Sequence, residues 1–170
     1  RADGDAVAIT HRSGEPPEGL FGVHCEVTDT ASVDAAFAAV EKHQGPVEVL
    51  IANAGITRDQ PLLRMSDDDF TAVLDTNLTG AFRCARRASK GMIRLRRGRM
   101  VFISSVVGLY GNPGQANYAA SKAGLVGLAK GLALELAPDG ITVNVVAPGW
   151  FDSPLADGWM KSPKKSAEIL

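Results

Sequence analysis

"VEVLIANAG", residues 47–55, decides how this sequence folds. Apart from Glu48 it is apolar up to Asn53, with no polar alternation. A strand with one face in water alternates; an unbroken apolar run predicts a strand covered on both faces, as parallel sheets are. Two later stretches read the same way: "GRMVFISS" (98–105) and "ITVNVVAPG" (141–149), the latter ended by Pro148 and Gly149. Upstream, "AVAIT" (6–10) and "GLFGVHCEV" (19–27) are further strand candidates. Amphipathic segments separate them. "TDTASVDAAFAAVEKH" (28–43) opens on a capping residue, Thr28 or Asp29, and repeats Val33, Phe37 and Val40 at helical spacing. Residues 66–95 read as one long helix, with Ser66 as N-cap and acidic residues in the first turn, where the helix dipole favours them. Residues 114–136, "GQANYAASKAGLVGLAKGLALEL", read as another. Strand and helix alternate, which predicts right-handed crossovers and a doubly wound parallel sheet in an α/β/α three-layer domain spanning 1–170.

Composition narrows the function. The 170 residues carry a net charge of −1, with 45% hydrophobic and 22% charged residues. That is an ordinary globular balance, with no global electrostatic case for nucleic acid or a membrane surface. No apolar run reaches membrane-spanning length and no signal-peptide pattern opens the chain. Cys25 and Cys84 have no metal-like spacing and read as reduced thiols, which suits a cytoplasmic protein.

In an open parallel sheet the ligand binds at the carboxyl ends of the strands. Those ends carry Asn53-Ala54-Gly55, Ser104-Ser105 and Pro148-Gly149. The helix at 114–136 puts Tyr118 and Lys122 four residues apart, on one face. A phenol is a poor acid near neutrality, with pKa about 10, and a neighbouring ammonium is expected to lower it. Such a Tyr can pass a proton to a developing alkoxide or take one from an alcohol. Ser105, ending the strand before that helix, can hydrogen-bond the same oxygen. Tyr-x-x-x-Lys alone is a weak signal; its order among the strand-end motifs is a stronger one.

That order resembles the short-chain dehydrogenase/reductase family. "NAG" (53–55), "NLTG" (77–80), "ISS" ending at Ser105, "YAASK" (118–122) and "PG" (148–149) follow one another at the family's spacing, nearly end to end along the chain. Longer stretches, among them residues 98–124, look like the family's bacterial, particularly actinobacterial, 3-oxoacyl-[acyl-carrier-protein] reductases. The resemblance implies a Rossmann-like fold and reduction of a 3-oxoacyl thioester, carried by acyl carrier protein or CoA, in fatty-acid biosynthesis. It implies Tyr118 as general acid and Lys122 as the group that lowers its pKa and binds the nicotinamide ribose. Ser105 then polarises the carbonyl, and Asn77 positions a water linking Lys122 to solvent. Ser104, off the family spacing, is read as structural. Another family member acting on acetoacetyl-CoA, a sugar or a secondary alcohol remains an alternative, as does a non-catalytic fragment.

For the cofactor, the resemblance implies that Asn53, Ala54 and Gly55 line the adenosine-ribose side, that Glu26 and Val27 flank the adenine, and that Pro148, Gly149 and Ser153 lie at the nicotinamide end. Arg12, just after the first strand, suits a ribose 2′-phosphate better than a 2′-hydroxyl, which favours NADP(H). The basic run from Arg94 to Arg99 reads either as a solvated helix end or as a docking patch for an acidic carrier protein, with Arg96 and Arg97 as contacts. The family pairs its long helices between subunits, usually in tetramers or else dimers; Gly124, Gly127 and Gly131 would allow close approach there or against the chain's own sheet. The family's opening strand, glycine-rich turn and closing tail are not in these residues, so the chain is expected to be partial, with a strand wanting between 6–10 and 47–55.

Overall fold

The computed structural model describes residues 4–150. In chain order the strands are β1 (Ala8–His11), β2 (Phe21–His24), β3 (Val49–Ala52), β4 (Gly98–Ile103) and β5 (Ile141–Val146). The helices are α1 (Thr30–Gln44), α2 (Asp67–Leu74), α3 (Gly80–Leu95), α4 (Val107–Tyr110) and α5 (Ala116–Leu136). Every strand pair is parallel, as the apolar runs predict. The strands form two ladders, β1–β2 and β3–β4–β5. Among the described residues no ladder joins β1 to β3, which is where the sequence reading leaves a strand wanting.

Helices α1, α3 and α5 lie side by side over one face of the strands. Their inward residues make one core: Val33 and Phe37 of α1, Ala85 and Met92 of α3, Leu125 and Ala129 of α5, over Met100 and Phe102 of β4. Met100 and Phe102 are fully buried, each contributing about 1.5–3 kcal/mol of transfer free energy. The run of Ala81, Ala85 and Ala88 keeps α3 slim enough to sit close. The other face is open among the described residues: Val49 and Ile51 of β3 are 57% and 63% exposed, and Val146 of β5 is 49% exposed. The apolar run at 47–55 reads as doubly covered, but the described residues cover only its Leu50–Ala52 side.

The ends of α1 follow the sequence. Asp29 is the cap of α1, accepting from Ala31 N–H at 2.9 Å and Ser32 N–H at 3.3 Å. Ser66 caps α2 through Asp69 N–H at 3.1 Å, ahead of Asp67, Asp68 and Asp69. The single long helix over 66–95 is a correction: a π turn at Asp75–Thr79 divides it into α2 and α3. The π turn inserts one extra residue into the helical ladder, and tertiary bonds made by Asn77 hold it there.

Candidate active site

The carboxyl ends of β3, β4 and β5 converge. Ser104 N–H donates to Val146 O at 2.7 Å and Val106 N–H to Pro148 O at 3.0 Å. The Pro148-Gly149 turn therefore lies alongside Ser105. Ser105 Oγ accepts from Val107 N–H at 3.2 Å, which starts α4 and leaves its own O–H to donate elsewhere. Ser104, buried, donates to Lys122 O at 2.8 Å; it is the structural serine of the pair, as read.

Helix α5 brings Tyr118 and Lys122 to this edge, both buried. Lys122 Nζ donates to Ile103 O, the end of β4, at 2.7 Å, and stands 5.5 Å from the Tyr118 ring centre. Short α4 holds the turn from behind. A Cβ on Gly108 would fall 2.8 Å from the Lys122 backbone carbon, so only glycine fits there.

The protonation balance corrects one expectation. The phenol of Tyr118 is pushed up, not down. Burial is the main cause; the hydrogen bond with Ser105 pulls it part of the way back, and the Asp59 carboxylate raises it further. Burial also brings the Lys122 ammonium down to about 8. Spacing alone reveals the pair but not the desolvation, which favours the neutral form of both groups.

Asn77 sits on the π turn, 1% exposed. Its Oδ1 accepts from Ile56 N–H at 2.8 Å, and its Nδ2 donates to Ile56 O at 3.0 Å and to Ser121 Oγ at 3.1 Å. Both N–H donors of the amide are thus used inside the protein. Sequence reading assigned no role to two fully buried neighbours, Ser121 and Asn117. Asn117 accepts from Tyr118 N–H at 2.8 Å and donates to Arg58 O at 2.9 Å and Asp69 O at 3.3 Å. With Gln115 donating to Asp59 at 2.9 Å and Gln60 N–H to Gly114 O at 2.9 Å, it clamps the loop after β3 onto the start of α5. Trp150, directly after the Pro148-Gly149 turn, packs against the Val73, Val107 and Tyr118 cluster. The signal for Asn117 and Ser121 lay in polar residues on an otherwise small and apolar helix face.

The candidate cofactor residues follow the same edge. Asn53 and Ala54 are exposed beyond β3. A Cβ on Gly55 would lie 3.3 Å from Asn77 Oδ1 and 3.7 Å from Lys122 Nζ, so Gly55 keeps open a space faced by an ammonium with two further N–H donors. At the end of β1, exposed Arg12 stands next to His11, whose buried Nδ1 has no hydrogen-bond partner among the described residues. Arg12 and His24 help hold the Glu26 carboxyl below its usual range, behind the hydrogen bond from Thr28 N–H, the largest cause. Arg12 after β1 and Lys122 beside Gly55 are cationic groups of the kind that suit a phosphate-bearing dinucleotide. Val27, next to Glu26, is buried against Gly80, where a Cβ would come within 2.8 Å of its Cγ2. Ser153 lies outside the described residues.

Arg96 and Arg97 are not brought to this edge. They precede β4, whereas Ser105 follows it, so they stand at the opposite end of the sheet. Arg96 is turned into the left-handed region (φ 51°) and pairs with Asp139 at 3.2 Å, and Arg97 pairs with Glu48. Both arginine side chains stay largely exposed beside those carboxylates, at 70% and 66%. Cys25 and Cys84 are free thiols; burial raises both, Cys84 to about 11. Among the described residues no His, Cys, Asp and Glu group could hold a metal, and no helix is long and apolar enough to cross a membrane.

A parallel sheet with Ser105, Tyr118 and Lys122 at its carboxyl edge is a Rossmann-like α/β scaffold. The short chain dehydrogenase family model matches residues 2–164, and the chain belongs to that family. It is 56% identical over 154 residues to the 3-oxoacyl-[acyl-carrier-protein] reductase MabA of Mycobacterium tuberculosis, covering 91% of this chain and 62% of that protein. It is 44% identical over 154 residues to the 3-oxoacyl-[acyl-carrier-protein] reductase FabG of Escherichia coli, with coverage of 91% and 62%. The Mycobacterium avium MabA is 53% identical, over 91% of this chain and 60% of its own. The chain thus spans about three fifths of the length of these relatives.

Proposed function

We propose that the protein reduces 3-oxoacyl thioesters, carried by acyl carrier protein or CoA, to 3-hydroxyacyl thioesters with NADPH, as a cytoplasmic step of fatty-acid biosynthesis. The observation that carries this is the convergence of Ser105, Tyr118 and Lys122 at one sheet edge, in a chain 56% identical to a reductase of that name. Bound NADPH supplies the hydride for the carbonyl carbon. The chain's own residues manage the oxygen and its proton. Ser105 donates to the ketone oxygen, since its own oxygen is already occupied by Val107 N–H. Tyr118, kept protonated by burial, gives its proton to the oxygen as negative charge develops there. Lys122 faces the phenolate left behind and stabilises it while charged, below about pH 8. Lys122 meets the nicotinamide ribose, and Asn53, Ala54 and Gly55 line the adenosine-ribose side next to it. Pro148 and Gly149 border the far side. Asn77, whose Oδ1 faces the space beside Lys122, positions a water through which the proton on Lys122 and Tyr118 is replaced.

Arg12 supports NADPH over NADH: a guanidinium at the end of β1 matches the charge and geometry of a 2′-phosphate, whereas a lone 2′-hydroxyl is better met by a carboxylate. Exposed apolar residues on the helices, Phe82 and Ile93 on α3 and Leu134 on α5, together with open Gly127 and Gly131, support a homo-oligomer built on these helices. Gly124 instead packs on Leu78 of its own chain. The test of the reading is NADPH consumption by the purified protein with acetoacetyl-CoA and with acetoacetyl carrier protein. Turnover of either supports it. Oxidation of secondary alcohols with both thioesters ignored would assign the protein to another activity within the family.

A further inference from the structure

We propose that Ser121 is a positioning residue for this reaction, coupling Asn77 and the loop after β3 to the turn of α5 that carries Tyr118 and Lys122. Its catalytic half rests on the reductase reading; its structural half does not. Ser121 is fully buried on a helix where alanine would pack as well. A serine there is disfavoured, because its hydroxyl competes with the helix's own backbone bonds. Here the hydroxyl bridges two elements. It donates to Tyr118 O at 2.7 Å and accepts from Asn77 Nδ2 at 3.1 Å. Asn77 in turn grips both the N–H and the C=O of Ile56, at 2.8 and 3.0 Å. The chain of bonds runs without a break from the cofactor-side loop, through the π turn, to the backbone of the proposed acid.

The π turn explains why a side chain is needed. Its extra residue turns Asn77 out of the helical ladder and toward α5, where only Ser121 meets it. Without the hydroxyl, one amide N–H of a side chain 1% exposed loses its partner, and the amide, held by Ile56, loses its tie to the Tyr118 turn of α5. Asn77 Oδ1 and Lys122 Nζ both face the space above Gly55, so slack in the amide becomes slack beside the ammonium.

Two measurements test this, and they fail separately. Amide hydrogen exchange at Ile56, read without cofactor, needs no turnover. Ser121→Ala is expected to speed it at least about tenfold while Phe102 in β4 is unchanged. Ser121→Cys, nearly isosteric but a poor hydrogen-bonding group, carries the same expectation should the alanine variant not fold. In turnover with NADPH and acetoacetyl-CoA, either variant should lower kcat about tenfold and leave the KM for NADPH within about twofold, since small misplacement of reacting groups costs rate first. Ser121→Ala combined with Asn77→Ala should be no slower than Asn77→Ala alone, because the two act as one unit. Unchanged exchange at Ile56, or losses in kcat that multiply in the double variant, would overturn the bridge. A wild-type protein that reduces no 3-oxoacyl thioester but shows the Ile56 response overturns the reductase reading, and with it the catalytic half, while the bridge stands.

Discussion

Lys122 keeps an ammonium at 4% exposure on a single carbonyl partner, and that has a thermodynamic cost. Lowering its pKa from 10.5 to about 8 amounts to about 3 kcal/mol against the folded state. The penalty is fully present below about pH 8, where the folded group stays charged, and fades as pH rises from there toward 10.5. Lys122→Met forfeits the bond to Ile103, worth about 1 kcal/mol, so it should stabilise the cofactor-free protein at pH 7 by about 2 kcal/mol. Denaturant unfolding at pH 7 and pH 10 should show that advantage shrinking, while the variant loses turnover. In the same vein, kcat for ketone reduction should fall as pH rises through about 8, as the charge beside the phenolate is lost; a pH–rate profile of the purified enzyme checks it. Tyr118, Lys122 and Ser105 were legible because their spacing is a one-dimensional fact. The direction of the Tyr118 shift was not, because desolvation depends on what covers the ring. The place of Arg96 and Arg97 was not legible for a similar reason: a basic run says nothing about which end of a sheet it occupies or which carboxylates lie across from it.

At the scale of elements, α4 is only four residues long, yet it sets the position of the catalytic turn. Gly108 touches the Lys122 backbone, which cannot yield as a flexible side chain would. Gly108→Ala should therefore cost about 1–3 kcal/mol in unfolding and lower kcat, as α4 and α5 are forced apart. Asp29→Ala, far from the site, should cost about 1 kcal/mol through loss of the α1 cap and leave the rate per folded molecule unchanged. Caps such as Asp29 and Ser66 could be read because they satisfy the helix's own first amides, a local matter. The π turn could not, since residues 66–95 are locally a good helix. What breaks the ladder is Asn77 bonding to Ile56 and Ser121, 21 and 44 residues away. The burial of Val27 was not legible for the same kind of reason: it is decided by Gly80 on α3.

For the whole molecule, the parallel alternation was legible from 47–55 outward. The β1–β2 pair is joined to the rest through α1. Arg87 of α3 ties α1 down with two bonds to Glu41, at 2.9 and 2.6 Å, and a contact to Asp34 at 3.5 Å, its guanidinium lying over Phe37. Partly buried, this cluster should be worth about 1–2 kcal/mol. Arg87→Ala should accelerate hydrogen exchange in β1 and β2 more than in β4; equal acceleration throughout would show that the two ladders open as one unit. That this molecule is a 3-oxoacyl thioester reductase acting through Tyr118 is tested most directly by Tyr118→Phe in the NADPH-consumption assay with an acetoacetyl thioester. The variant should lose at least about a hundredfold in kcat while its affinity for NADPH, measured by titration, stays within about threefold. Turnover retained at the wild-type rate would contradict the assignment.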